Sequence, residues 1–393
     1  MIVDILLTAI VGIIIIALIL SVVNKRYLLT VAIGLLLFGV FAILSVSIFE
    51  SFQLTLRVSD EPSNYFYFLR QIKHILVSLI SALILLIPLD KVRNNAGKIF
   101  LLVFIFQLLI FTSLGQVFNG ARWLYLPGLG SVQPSEFFKL FVIFLAAWLI
   151  RKKKELNSLE LFFAIIILSA ISFFIFLLIP DLGTLLVVPV VLILYWYAGK
   201  LIYIMASIVL GLTLLTVGMQ FDYIKQRVEY FVNPDIDESN QGIWQTKQGL
   251  IAISGFLKYG KLQKFGFIPE AQSDFIFAAF SEEVFVGNTV LLMLYFLLAY
   301  ISLTRIERVQ DEYLRNLAVG IVALISMQAF INIVNIKIIP LTGLTLPFIS
   351  YGTALMVNIW EIALLYNILY SNYTPKKEKS RSFVYTSLRS ELP

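Results

Sequence analysis

The stretch QKFGFIPEAQSDFIFAAFSEEVFVG, residues 263–287, marks the point where a long polar segment ends and a hydrophobic helix begins. Asp274 sits at that junction, and Glu282 and Glu283 follow within the next helical turns. A carboxylate at the mouth of a membrane helix is costly unless it is solvated, paired or at work. The same acid at the end of a polar loop is cheap. Two readings therefore stay open. Ser273 or Asp274 caps the helix by accepting its first free N–H groups, or Asp274 takes part in chemistry at the membrane border.

Working outward, the 393-residue chain is 60% hydrophobic and only 14% charged, against about 25% charged residues in a soluble domain. With a mean hydropathy of +0.91, it reads as an all-α polytopic membrane protein. There are no cysteines, which excludes disulfides, thiolate nucleophiles and Cys-ligated metals. The single histidine, His74 in RQIKHIL, rules out His-rich metal sites and reads as an interfacial residue. Acid–base chemistry then falls to Asp, Glu, Lys or Tyr. The net charge of +6 does not call for nucleic acid, because positive charge in a membrane protein marks cytoplasmic loops.

Eleven hydrophobic spans are expected, at 5–23, 27–49, 68–88, 98–114, 137–150, 161–179, 182–198, 201–218, 276–303, 315–337 and 347–370. Most have the length of a membrane-crossing helix. The 137–150 span is short unless it begins near Ser135, and only Pro180-Asp181 separates the sixth and seventh, which reads as two spans or one broken helix. Orientation follows from Lys and Arg in the short loops. With the loop 24–27 inside, alternation also places RKKK at 151–154 and the basic tail inside. Segments 49–67, 115–136, 219–275 and 338–346 then face outside. We divide the chain into an extra N-terminal transmembrane helix within 1–26, a membrane domain over 27–373 with a large extracytoplasmic loop at 219–275, and a basic cytoplasmic tail at 374–393.

Four polar features share the outer face. GARWLYLPGLGSVQPSEFFKL (120–140) reads as a loop feeding a helix, with Ser135 as N-cap and Glu136 in the first turn, where a negative charge suits the helix's positive end. Lys139 shares that face three residues on. This is a local ion pair or, with Arg122, a cationic site for a diphosphate. Asp181 in IPDLGT (179–184) reads as a turn residue. The 219–275 segment is long enough to be functional, and its residues 244–256 fit an amphipathic helix lying on the membrane. IPLTGLTLPFISYGT (339–353) looks re-entrant, and irregular backbone at membrane depth is tolerated only where protein covers it or it lines a cavity. Asn358 and Glu361, three residues apart in the last span, are the best sign of a transport path, with interhelical hydrogen bonding as the plainer reading.

GARWL and QPSEFFKL, PDLGT, PEAQSDFIFAAFSEE and LPFISYG, in that order and at matching topological places, resemble the SEDS family (shape, elongation, division and sporulation), the RodA and FtsW proteins, over about residues 28–371. The resemblance implies a bundle of about ten helices, with span 5–23 as an addition. It implies a peptidoglycan glycosyltransferase that polymerises lipid II at the outer face of the bacterial cytoplasmic membrane, in cell division or cell-shape elongation. A class B penicillin-binding protein (transpeptidase) and other division or elongation membrane proteins are the implied partners. The family's essential aspartate falls on Asp274. Its QPSE–K positions fall on Gln133, Pro134, Ser135, Glu136 and Lys139, its arginine on Arg122 and its SYG on Ser350, Tyr351 and Gly352.

The chemistry agrees with the residues available. A lipid diphosphate is a good leaving group, so one carboxylate base suffices for direct displacement with inversion, and cations stabilise the charge that develops. Asp274 is the expected base, or holds a divalent cation (Mg or Mn). Arg122 and Lys139 hold diphosphate and Glu136 orients Lys139. Gln133, Ser135, Glu282 and Ser350 complete the expected substrate site, and no organic cofactor or nucleic acid is expected. Gly352-Thr353-Ala354 departs from the usual Gly-Gly-Ser after SY, and ISGFLKYGK reduces the usual glycine-rich stretch. QKFGFIPEAQSDF and GLTLPFISYG lean toward the FtsW branch. A precursor flippase centred on Glu361 and Asn358, and a non-enzymatic scaffold for cell-wall enzymes, are the rival readings.

Overall fold

The computed structural model describes residues 26–55, 66–82, 94–112, 115–116, 123–126, 130–152, 158–178, 187–197, 216–232, 271–283, 285–334 and 343–371, with isolated residues 19, 213 and 247. The expected first helix apart from Ile19, span 201–218 apart from four residues, PDLGT, the tail and all but Lys247 of the amphipathic segment 244–256 lie outside them.

The described elements in chain order are α1 (Tyr27–Thr55), α2 (Phe66–Ala82), α3 (Ala96–Leu108), β1 (Gly115–Gln116), β2 (Trp123–Leu126), β3 (Gly130–Val132), α4 (Pro134–Arg151), α5 (Ser158–Leu178), α6 (Val187–Tyr197), α7 (Asp222–Val232), α8 (Ile276–Glu283), α9 (Phe285–Ile306), α10 (Glu312–Val334) and α11 (Ala354–Ser371). Three of them, within α1, α9 and α10, are long and apolar enough to cross a membrane. Large apolar side chains such as Ile80, Leu102 and Phe296 remain on the outside, where lipid rather than water satisfies them.

The bundle is centred on α4 and α10. Helix α4 packs on α3, α5, α6, α10 and α11. It buries Phe138, Leu140, Val142, Ile143, Phe144, Ala146, Ala147 and Ile150. Lipid tails are as apolar as leucine, so close backbone approach rather than water exclusion drives such packing. Gly320 of α10 shows this, since a Cβ there would fall 2.9 Å from Leu194 Cδ1 of α6.

Two expectations are corrected and one open choice is settled. Span 276–303 is two helices, α8 and α9, so the acidic SEE sequence ends a short helix of its own. The choice between two spans and one broken helix at 161–179 and 182–198 falls to two: α5 and α6 are separate helices that pack on each other. The 120–140 loop carries strand structure: β1, β2 and β3 form an antiparallel meander, pairing Gly115 with Leu124 and Leu124 with Val132. Aromatic and apolar residues 123–126 followed by Pro127-Gly128 are a hairpin signature. His74 is buried within the protein, with its ring 5.6 Å from that of Tyr351.

Candidate functional site

Segment 343–353, between α10 and α11, joins the expected site residues. Its backbone is held in an unusual shape. Gly343 has φ +71°, and Phe348, a buried non-glycine, has φ +67°, in the left-handed region that bulky residues avoid. Gly39 of α1 makes room for it, because a Cβ there would fall 2.9 Å from Ile349 Cα. The hydroxyl of Tyr295 on α9 donates to the Pro347 carbonyl.

This turn grips the Asp274 segment directly. Ser350 Oγ donates to the Ser273 carbonyl at 2.7 Å while accepting the Leu346 N–H at 2.7 Å. The Tyr351 N–H donates to the Gln272 carbonyl at 2.8 Å. From α10, Asn332 Nδ2 donates to the Asp274 carbonyl (3.0 Å) and to the Leu344 carbonyl (2.6 Å). Gln328, one helical turn earlier, donates to Thr345 Oγ1 at 3.0 Å. Asp274 itself is half-buried, two residues before α8 begins. A Cβ built on Gly343 would lie 3.4 Å from Asp274 Oδ2, so the glycine backs directly onto the carboxylate.

The same turn reaches the other two sides of the site. The Gln133 N–H donates to Thr353 Oγ1 at 3.2 Å, tying the start of α4 to the turn. Gln71 of α2 donates through Nε2 to the Ser350 carbonyl at 3.1 Å and accepts the Gly352 N–H through Oε1 at 3.4 Å.

Pro134 occupies the first position of α4 after an extended Gln133, where its missing N–H costs nothing. Gln133, not Ser135, is therefore the N-cap residue, and it makes no side-chain cap bond. Ser135 lies inside the first turn and is buried. Lys139 Nζ pairs with Glu136 Oε2 at 2.7 Å, with side-chain exposures of 1% and 7%. This is the ion pair that i, i+3 spacing allows. Direct contact between Lys139 and a diphosphate is not open in this conformation, because no part of the lysine head faces solvent.

Of the expected site residues, the structure thus joins Gln133, Asp274 and Ser350 through one turn, and places Ser135, Glu136 and Lys139 on the helix that Gln133 begins. Arg122 and the side chains of Glu282 and Glu283 lie outside the described residues. Among the described residues no three His, Cys, Asp or Glu side chains gather into a metal-binding group. Sequence reading missed Gln71, Asn332 and Gln328. The signal was present, since a polar residue in an apolar helix marks an interhelical bond or a site, and Gln328 and Asn332 share one helical face.

A family model for FtsW, RodA and SpoVE proteins, described as cell cycle protein, matches residues 25–374. The chain is 36% identical over 286 residues to stage V sporulation protein E of Bacillus subtilis (strain 168), covering 69% of this chain and 77% of that protein. It is 34% identical over 365 residues to a protein of Geobacter metallireducens named probable peptidoglycan glycosyltransferase FtsW, covering 88% of this chain and 95% of the other. Among solved structures it superposes with a TM-score of 0.68 on a chain of a peptidoglycan synthase complex described as coordinating polymerization and crosslinking. That match is at 20% identity and covers 86% of this chain and 98% of that one. The rod shape determining protein RodA of Thermus thermophilus matches with a TM-score of 0.59 at 20% identity, over 86% and 97% of the two chains.

Proposed function

The chain belongs to the FtsW, RodA and SpoVE family of cell cycle proteins, and from that membership we propose that this multi-pass membrane protein is a peptidoglycan glycosyltransferase that polymerises lipid II. The observation that carries the site is Asp274. It is the carboxylate whose segment is held by hydrogen bonds from two other parts of the fold, Asn332 on α10 and Ser350 and Tyr351 in the turn. Such holding from independent elements supplies the orientation that catalysis needs.

In the reaction, the acceptor sugar's hydroxyl oxygen forms a bond to the donor's anomeric carbon. The bond from that carbon to the diphosphate oxygen breaks, and the lipid diphosphate leaves with the electron pair. Asp274 takes the acceptor's proton, a role within reach of a partly solvated carboxylate. Arg122 and Gln133, at the start of α4, meet the diphosphate, while Ser135 lies buried within the first turn behind them. Ser350 holds the segment that carries Asp274, and Glu282 completes the substrate site. The Glu136–Lys139 pair braces α4 behind it. A divalent cation (Mg or Mn) held by Asp274 would stabilise the leaving diphosphate. The site faces the outside of the cytoplasmic membrane, the tail faces inside, and a class B penicillin-binding protein is the partner that cross-links the product.

The test is polymerisation of labelled lipid II by the purified chain in liposomes with its transpeptidase partner, read as glycan ladders on a gel. Ladders from the wild type and none from Asp274→Asn are expected. Equal ladders from both would remove Asp274 as the base and turn attention to Glu282.

A further inference from the structure

We propose that Glu361, buried in α11, is a positioning residue for Asp274 that acts through Asn358 and the strained turn at Phe348. The inference rests on the polymerase reading and adds to it a group that stands outside the substrate site.

The geometry runs in one direction. Asn358 Nδ2 donates to Glu361 Oε2 at 3.0 Å, and Asn358 Oδ1 accepts the Phe348 N–H at 3.2 Å. Both side chains are buried, so neither bond is exchanged for water. An asparagine amide can sit either way round, and what fixes it is the partner at each end. Glu361, an acceptor, holds the amide so that its oxygen, not its nitrogen, meets the Phe348 N–H. A flipped amide would set two donors against each other.

That N–H belongs to the residue least able to hold its own conformation. A non-glycine at φ +67° costs roughly 1–2 kcal/mol and persists only where its surroundings over-determine it. Here the Asn358 bond and the Tyr295 hydroxyl on the Pro347 carbonyl do so. Two and three residues further on, Ser350 and Tyr351 bond Ser273 and Gln272. An error at Phe348 is therefore passed to the segment that carries Asp274. Lys139 and Glu136 of α4 are the charged groups whose field reaches Glu361. A role for its charge is thus a real competitor to a role as acceptor.

Glutamine separates the two, because it keeps an acceptor oxygen and loses the charge. We expect Glu361→Gln to polymerise lipid II within about threefold of wild type. Glu361→Met should lose about 100-fold in turnover, as small misplacements of reacting groups do, with the KM for lipid II unchanged. Should Glu361→Met fail to fold, the double variant Asn358→Leu/Glu361→Met removes both polar side chains together, so that no side-chain amide is orphaned and only the Phe348 N–H loses its acceptor. It must still lose turnover.

Four outcomes overturn the proposal. Wild-type turnover in Glu361→Met or in the double variant leaves no positioning role. A raised KM with unchanged turnover assigns Glu361 to binding. Equal losses in Glu361→Gln and Glu361→Met assign the effect to charge, as a transport path would require. A wild-type chain that makes no glycan beside its partner overturns the polymerase reading itself, and is told apart from the others because Asp274→Asn and wild type then agree.

Discussion

Two charged places in this molecule are built in opposite ways. Glu136 and Lys139 lie on one helix, three residues apart, sealed in the core and answering each other at 2.7 Å. Asp274 lies at the end of a loop, half-buried, and its segment is held by residues 58 and 77 positions away in sequence. The first arrangement is local and closed, which suits a structural brace. The second is non-local and leaves the carboxylate partly accessible, which suits a group that must meet a substrate. A buried pair is weak evidence for function, whereas a partly exposed carboxylate whose main chain is held by independent elements fits a group that acts on a substrate.

The contrast can be broken most directly at the two charges. Asp274→Asn should lower polymerisation by about 10²–10⁴-fold, the range for a general base, with an unchanged melting temperature in detergent. A marked loss of stability would make Asp274 a structural residue like the pair. Lys139→Met should do the reverse. It leaves Glu136 buried without its counter-charge, at a cost of about 3–5 kcal/mol, while Glu136→Leu/Lys139→Met together recover most of that in the same melting assay. A double variant as unstable as the single one would show that the pair does more than neutralise itself.

Smaller effects test the non-local hold. Ser350→Ala removes the donor to Ser273 and the acceptor of the Leu346 N–H, which should cost about 1–3 kcal/mol. Its turnover should fall further than that of an equally destabilised variant elsewhere in the bundle. Gly343→Ala is the finest probe. A residue with a Cβ at φ +71° costs about 1–2 kcal/mol, and the new methyl meets Asp274 Oδ2. Turnover should drop about tenfold with little change in KM, because relief of the strained φ shifts the turn against which the carboxylate rests. Unchanged turnover would show that the turn does not aim Asp274.

Much of this was legible in advance, and the reasons differ from residue to residue. The i, i+3 pair of Glu136 and Lys139 follows from helical periodicity, so it was readable and the structure contains it. The N-cap was misassigned by two residues, because Pro134 at the first helical position moves the cap to Gln133. The short sheet at 115–132 was overlooked although its Pro-Gly turn announced it. The burial of His74 and Lys139 was not readable, because a polar residue near the end of a hydrophobic run looks interfacial until its neighbours are known.

The amino-acid sequence by itself determined that the chain is a helical membrane protein, where most of its helices lie and which carboxylate to watch. Hydrophobic runs, prolines and the spacing of charges act over a few residues and need no knowledge of the fold. Only the tertiary structure decided that residues 343–353 join α2, the start of α4, α9, α10 and α11 to the segment that carries Asp274. Those bonds link main-chain groups to side chains up to 281 residues away, Gly352 to Gln71 among them. A backbone N–H or carbonyl is the same in every residue, so nothing in the local sequence says which distant side chain will claim it.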